Sequence, residues 1–150
     1  MSHHDRKFSM ADITFKEEVL RQATASGRIQ LRPSTITRIR KGRIAKGDPI
    51  AAAEVAAVLA AKNTPQTLPF CHPIPITNVQ TEAKIGKSSI TAQSTVKTTA
   101  RTGVEMEALN AVSTYLLTVW DMVKQYEKDP RGQYPDTRIA DLRVLTKSKG

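Results

Sequence analysis

The 150-residue chain contains a single cysteine, Cys71, which excludes an internal disulfide framework and a cysteine-rich zinc site. Aromatic residues are scarce: one Trp, three Tyr and three Phe supply little of the stacking platform used by single-strand nucleic-acid binders. No apolar run approaches the ~20 residues that a membrane span requires. The first residues, Met1-Ser-His-His-Asp-Arg-Lys, lack the apolar stretch of a signal peptide. Histidine outside that tail is represented by His72 alone, too few to build a histidine-rich metal site. These absences point to a cytoplasmic protein without a membrane span.

What the chain does have is charge of one sign and enough apolar residues for a core. Lys and Arg number 23 against 14 Asp and Glu, a net charge of +9, which favours anionic partners such as nucleotide phosphates or nucleic acid. The cations are spread along the sequence rather than gathered in one block. An apolar content of 39% suits a globular domain, and this length accommodates one. We divide the chain into a polar tail, 1–9, and a single domain, 10–150. His3 and His4 in the tail form a pair that reads as a frayed terminus rather than a metal site.

The pattern of apolar residues predicts the elements in order. Residues 10–15 alternate as a short strand. Residues 16–31 are ambiguous, helix-favouring at Glu17-Glu-Val-Leu-Arg-Gln-Ala and strand-like at Ser26-Gly-Arg-Ile-Gln-Leu; a strand over 19–31 is the reading adopted. Pro33 opens a short helix that Gly42 stops. Asp48 and Pro49 cap an alanine-rich helix over 50–62. A loop follows over 63–69, then a proline-rich extended segment at 68–77 suited to a sheet edge or loop. Strands over 78–84 and 88–100 flank a turn at Gly86. The longest helix-compatible segment begins near Thr102 and runs through Lys124, with Met106, Leu109, Val112, Ser113, Leu116, Leu117 and Trp120 as its expected core stripe. A loop over 128–136 and a last strand over 137–146 complete an α+β sandwich: a mostly antiparallel sheet with helices packed on one face.

Chemistry-bearing residues concentrate at the two ends of that long helix. Glu105 and Glu107 stand at its N-terminus, where the free N–H groups and the dipole favour anions. Asp121 and Lys124 stand three residues apart near its other end, a spacing that by itself reads first as an ordinary surface pair. At 100° and 1.5 Å per residue, Glu107 and Asp121 differ by only about 40° around the axis but lie roughly 21 Å apart along it. One helix cannot bring both ends to one small reaction centre, so either the carboxylates are structural or a second subunit brings its own helix end alongside. Lys46 precedes the N-terminus of the 50–62 helix, a position suited to phosphate, although a solvated loop lysine is the plainer reading of the residue alone. A thiolate nucleophile assisted by its neighbour is conceivable at Cys71-His72, but sequence adjacency does not place a base on a thiol, and Cys71 reads as packing.

Four segments, Lys46-Gly-Asp, Leu68-Pro-Phe-Cys-His-Pro, Thr102-Gly-Val-Glu-Met-Glu-Ala-Leu and Asp121-Met-Val-Lys124, resemble in order and spacing the motifs of the cyclic pyranopterin monophosphate synthase family, molybdenum cofactor biosynthesis protein C. Met10-Ala-Asp-Ile resembles that family's opening strand, and Lys147-Ser its closing motif. The resemblance implies a ferredoxin-like fold, a hexamer built as a trimer of dimers, and active sites at the dimer interface. It implies a phosphorus–oxygen lyase acting on a cyclic dihydroguanosine triphosphate, with no metal, no cofactor, and no nucleic-acid or membrane partner. Lys46, Asp121 and Lys124 match the family's catalytic positions. His72, Glu105 and Glu107 match other active-site positions, Arg21 a basic substrate contact, and Cys71, Arg101 and Met106 belong to the same substrate-binding set. Such chemistry suits a lysine whose pKa is lowered by burial or by neighbouring cations. Departures from the family are Arg101 in place of a lysine, Lys-Gly in place of two glycines at the end, and a longer loop at 130–136. A basic nucleic-acid-binding module is the rival reading and requires a contiguous cationic face free of Glu105, Glu107 and Asp121. A metal-dependent phosphohydrolase is a second, for which the carboxylate spacing offers no ligand pattern.

Overall fold

In the computed structural model, which describes residues 7–150, inward-facing small and branched side chains set the architecture. Strand β3, Ser89–Ala100, buries Ile90, Ala92, Ser94, Val96, Thr98 and Ala100 on one face and turns the intervening residues away, the period-two pattern of a sheet with one covered side. It pairs antiparallel with β1, Val19–Gln30, and with β2, Ile76–Ile85; β4, Arg138–Lys149, adds antiparallel to the far side of β1, giving the order β2-β3-β1-β4. Helices α1, Pro33–Arg40, α2, Pro49–Lys62, α3, Thr64–Thr67, and α4, Glu105–Glu127, complete the chain. The result is an α+β, ferredoxin-like sandwich with its helices on one face of a fully antiparallel sheet.

Close packing follows from small residues at the contacts. Ala53, Ala57 and Ala61 recur at four-residue steps on α2 and are buried in the core shared with α4, which lets the two helices approach closely. Gly27 in β1 faces α4; a Cβ there would lie 2.9 Å from Val112 Cγ1 and 3.0 Å from Leu116 Cδ1. Asp48 caps α2 as expected, accepting from the amides of Ile50 at 3.0 Å and Ala51 at 3.2 Å. Gly42 adopts φ 66° just past α1, the left-handed conformation that ends a helix.

Four expectations change. Residues 10–15 are not a strand: Asp12 Oδ1 accepts from the Thr14 amide at 2.9 Å and hydroxyl at 2.6 Å, and this local turn competes with strand pairing. The expected loop at 63–69 contains α3, whose Thr64 hydroxyl donates back to Ala60 O at 2.9 Å. The last strand continues to Lys149, with the Gly150 amide donating to Leu20 O at 2.9 Å. Finally, α4 is rotated from the expected stripe. Its buried face is Ala108, Ala111, Val112, Tyr115, Leu116, Val119 and Val123, whereas Met106 and Leu117 are exposed. Two alanines and a tyrosine, weak markers of hydrophobic periodicity, occupy the true core stripe. His3 and His4 lie outside the described residues.

At the last turn of α4, Glu127 is fully buried. It accepts from the Arg32 amide at 3.2 and 3.1 Å, from the Thr137 hydroxyl at 2.7 Å and from the Thr35 hydroxyl, so a buried carboxyl group is satisfied by donors from the start of α1 and from the residue that precedes β4. This fixes the C-terminal end of α4, where the first of two polar clusters stands.

Candidate active site

The turn between α1 and α2 runs past the last turns of α4, and Gly47 at φ 118° gives its backbone a conformation that other residues avoid. Lys46 therefore reaches α4: its ammonium donates to Asp121 Oδ2 at 3.3 Å and to the Asp121 carbonyl at 3.2 Å. From one turn further along, Lys124 Nζ meets the other carboxylate oxygen, Oδ1, at 3.0 Å. Asp121 thus bridges two lysines, one from each side. Its side-chain hydrogen bonds to Lys124 and Lys46, and then their charges, hold its pKa below the usual carboxylate range. The hydrogen bond and charge of Asp121 in turn hold the Lys124 pKa above that of a free lysine. The expectation of a lysine with a lowered pKa is thereby corrected for Lys124: its neighbour is an anion and it is not buried, so it is stabilised as the ammonium.

Leu117, Trp120, Asp121 and Lys124 follow one another at helical spacing along the outer face of α4. With Tyr134 they line an open cleft of about 370 Å³, a size within the range of small-molecule sites. Trp120 and Tyr134 meet edge to face, with ring centroids 5.2 Å apart. Tyr134 was not legible as a site residue; the departure in its loop was the available signal.

A second cluster occupies the other end of α4. Cys71, His72, Gly103, Glu105, Met106 and Glu107 line a cavity of about 200 Å³, and His72 continues into a neighbouring one of about 190 Å³ that includes Glu18 and Arg101. The His72 Nε2 lies 2.8 Å from the Ala11 carbonyl. Arg21 donates through Nε to Ala100 O and through Nη2 to Arg101 O, both at 3.3 Å, and so braces the strand end that leads to Arg101. Glu107 is buried, and desolvation, opposed by its own backbone amide and reinforced by the Glu105 charge, raises its pKa. Burial, followed by the charges of Glu107 and Glu105, raises that of the Cys71 thiol, so this cysteine is a poor thiolate. Glu105 folds back over Gly103, where a Cβ would collide with its carboxylate. One carboxylate oxygen faces Lys147 Nζ at 3.5 Å; the other, Oε2, is buried without a hydrogen-bond partner.

The structure therefore brings Lys46, Asp121 and Lys124 together, and separately gathers Cys71, His72, Glu105, Met106 and Glu107 beside Arg101 and Arg21. It does not join the two sets within one chain. Among the described residues, no group of three or more His, Cys, Asp or Glu side chains is arranged to hold a metal ion, and no helix is long and apolar enough to cross a membrane.

An α+β domain with a lysine–aspartate–lysine centre in a small cleft, and paired carboxylates beside basic side chains at the opposite pole, has the make-up of an enzyme for a small anionic substrate. Residues 10–150 match the model of the MoaC family, and the chain belongs to that family. It is similar to proteins named "Probable cyclic pyranopterin monophosphate synthase" from several archaea. The one from Thermococcus kodakarensis is 50% identical over 151 residues, covering 100% of this chain and 97% of the relative. That from Methanosarcina acetivorans is 55% identical over 141 residues, 94% of this chain and 89% of the relative, and that from Aeropyrum pernix is 54% identical over 141 residues, 94% and 97%. Such enzymes are lyases acting on phosphorus–oxygen bonds.

Proposed function

We propose that the chain converts (8S)-3′,8-cyclo-7,8-dihydroguanosine 5′-triphosphate to cyclic pyranopterin monophosphate and diphosphate, a step of molybdenum cofactor biosynthesis in the cytoplasm. The observation that carries this reading is the Asp121 carboxylate bridging Lys46 and Lys124 in a cleft, in a chain that shares at least half its residues with relatives bearing that name. Opening and re-closing a purine-derived ring requires protons to be delivered and removed at defined atoms. Lys124, held as an ammonium by Asp121, is the proton donor; after donation it is the neutral amine that takes a proton back. Asp121 orients it. Lys46 shares the proton work or neutralises phosphate charge.

Formation of the cyclic phosphate is an attack of a sugar hydroxyl on the α-phosphorus, with rupture of the bond to the departing diphosphate. Cations stabilise the charge that develops on that leaving group. His72 and Arg101 at the other pole, with Lys46 at the first, are the candidates; Arg21, Cys71, Met106, Glu105 and Glu107 complete the proposed substrate-binding set. The separation of the two poles along α4 supports assembly of each complete site from two subunits, within a hexamer built as a trimer of dimers. No nucleic-acid partner enters this reading: Glu105, Glu107 and Asp121 stand among the very cations that such a partner would use. Purified protein supplied with the cyclic triphosphate should release one diphosphate per substrate consumed; a folded preparation that releases none overturns the reading.

A further inference from the structure

The loop between α4 and β4 is built, not slack. Asp129 Oδ1 accepts from the amides of Arg131 and Gln133, both at 2.9 Å, and the Asp129 amide donates to Gln133 O at 2.9 Å. Gly132 turns the chain at φ 77°. Beyond Tyr134, Asp136 meets Arg32 Nε at 3.1 Å, and Thr137 donates to the buried Glu127. The loop is thus pinned at both ends, and its aromatic side chain is delivered against Trp120 on the lip of the lysine–aspartate centre.

We propose that Tyr134 is a substrate-positioning residue: its ring, held edge to face by Trp120, is the aromatic wall against which the planar ring system of the substrate lies while its polar edge faces Lys124 and Asp121. The proposal rests on the reaction assigned above. Three observations carry it. Leu117, Trp120 and Tyr134 give the cleft an apolar side, and the charged pair occupies one edge of it, a combination matched to a flat heterocycle with a polar rim. Leu117 is 58% exposed, so the apolar side of the cleft is open to a ligand, while Trp120 is anchored against the core behind it. Tyr134 and Lys124 line the same cleft, so a ring held against the tyrosine lies beside the ammonium. A heterocycle stacked here is within reach of the groups that protonate it, and the wall removes water from one of its faces.

Trp120 is the sole tryptophan of the chain, so its fluorescence reports on this wall alone. Rapid mixing of the wild-type protein with the cyclic triphosphate should quench Trp120 before product forms, whereas inorganic diphosphate should leave it unchanged. Replacing the ring should raise KM at least about fivefold with a smaller change in kcat, since stacking of a base on an aromatic side chain is worth ~1–3 kcal/mol. Tyr134→Ala and the bulkier but non-planar Tyr134→Leu should both show this, and Tyr134→Phe should stay within about twofold of wild type. Wild-type protein that fails to turn over the substrate overturns the assigned reaction. Wild-type turnover with no quench, or with KM unchanged in folded Tyr134→Ala and Tyr134→Leu, overturns the positioning role instead.

Discussion

Lys46 and Asp121 are separated by 75 positions in the sequence, yet the lysine ammonium lies 3.3 Å from one Asp121 carboxylate oxygen and 3.2 Å from the Asp121 carbonyl. With Lys124 at 3.0 Å on the other carboxylate oxygen, one anion organises two cations that approach from different elements. Surface ion pairs of this exposure contribute little to stability. Their value is positional, and the consequences are best read in catalysis.

Asp121→Asn keeps the shape of the side chain and removes its charge. Turnover should fall by about 10²-fold or more, in keeping with loss of general acid–base assistance. Asp121 raises the Lys124 pKa, so its removal lowers that pKa. If the ammonium is the active form, the alkaline limb of the kcat–pH profile should move toward lower pH in the variant. A limb that stays in place, or moves to higher pH, separates Asp121 from the protonation of Lys124.

Glu107 gives a stability prediction of opposite sign to most single substitutions. Its pKa is raised in the folded state, so the native protein holds the proton more tightly than the unfolded chain does. Its contribution to stability is therefore greatest below its ordinary value of 4.5 and declines as pH rises through the folded pKa. Glu107→Gln should melt higher than wild type at pH 8, the gain shrinking toward pH 4, while activity drops. A variant that is less stable at pH 8 would show that the buried carboxylate is compensated within the subunit.

Gly27 tests the packing of α4 on the sheet. Gly27→Ala places a methyl 2.9 Å from Val112 and 3.0 Å from Leu116, and overpacking of this kind costs about 1–3 kcal/mol. The melting temperature should fall by several degrees, on the order of 2–4 °C per kcal/mol for a chain of this size. An unchanged melting curve would mean that the helix can shift outward freely.

If each site is shared between subunits, Lys124→Ala and Glu107→Ala should complement. Mixed dimers carry one doubly substituted site and one intact site, so an equimolar, fully exchanged mixture should recover about a quarter of wild-type activity from two inactive parents. Activity no greater than the sum of the parents, with exchange verified by native mass spectrometry, would confine each site to one chain.

Much of the fold was legible where a local signal has a single structural meaning. Asp48-Pro49 marks a helix start, Gly42 a helix end, and the alternation through Ile90, Ala92, Ser94 and Val96 a strand with one buried face. The orientation of α4 was not, because Leu109, Leu117 and Trp120 offer a second apolar stripe beside the true one. Only the sheet decides between them, through the space that Ala23, Ala25 and Gly27 leave open. At the candidate site, the motifs singled out lysines and carboxylates that the fold brings together in two clusters, but not their electrostatics. The direction of the Lys124 pKa depends on a carboxylate at 3.0 Å, a distance that spacing alone does not set. Tyr134 and Glu127 were hidden for a related reason: each acts through partners distant in sequence.

The most direct test is a single-turnover experiment with the enzyme in excess over the cyclic triphosphate, following pterin and diphosphate together in wild-type protein and in Lys124→Ala. Wild type should form the two products one to one, and the variant should form them at least about a hundredfold more slowly while retaining its fold. Product formation by Lys124→Ala at a near-normal rate would contradict the assignment of the Lys46–Asp121–Lys124 centre as the seat of the chemistry.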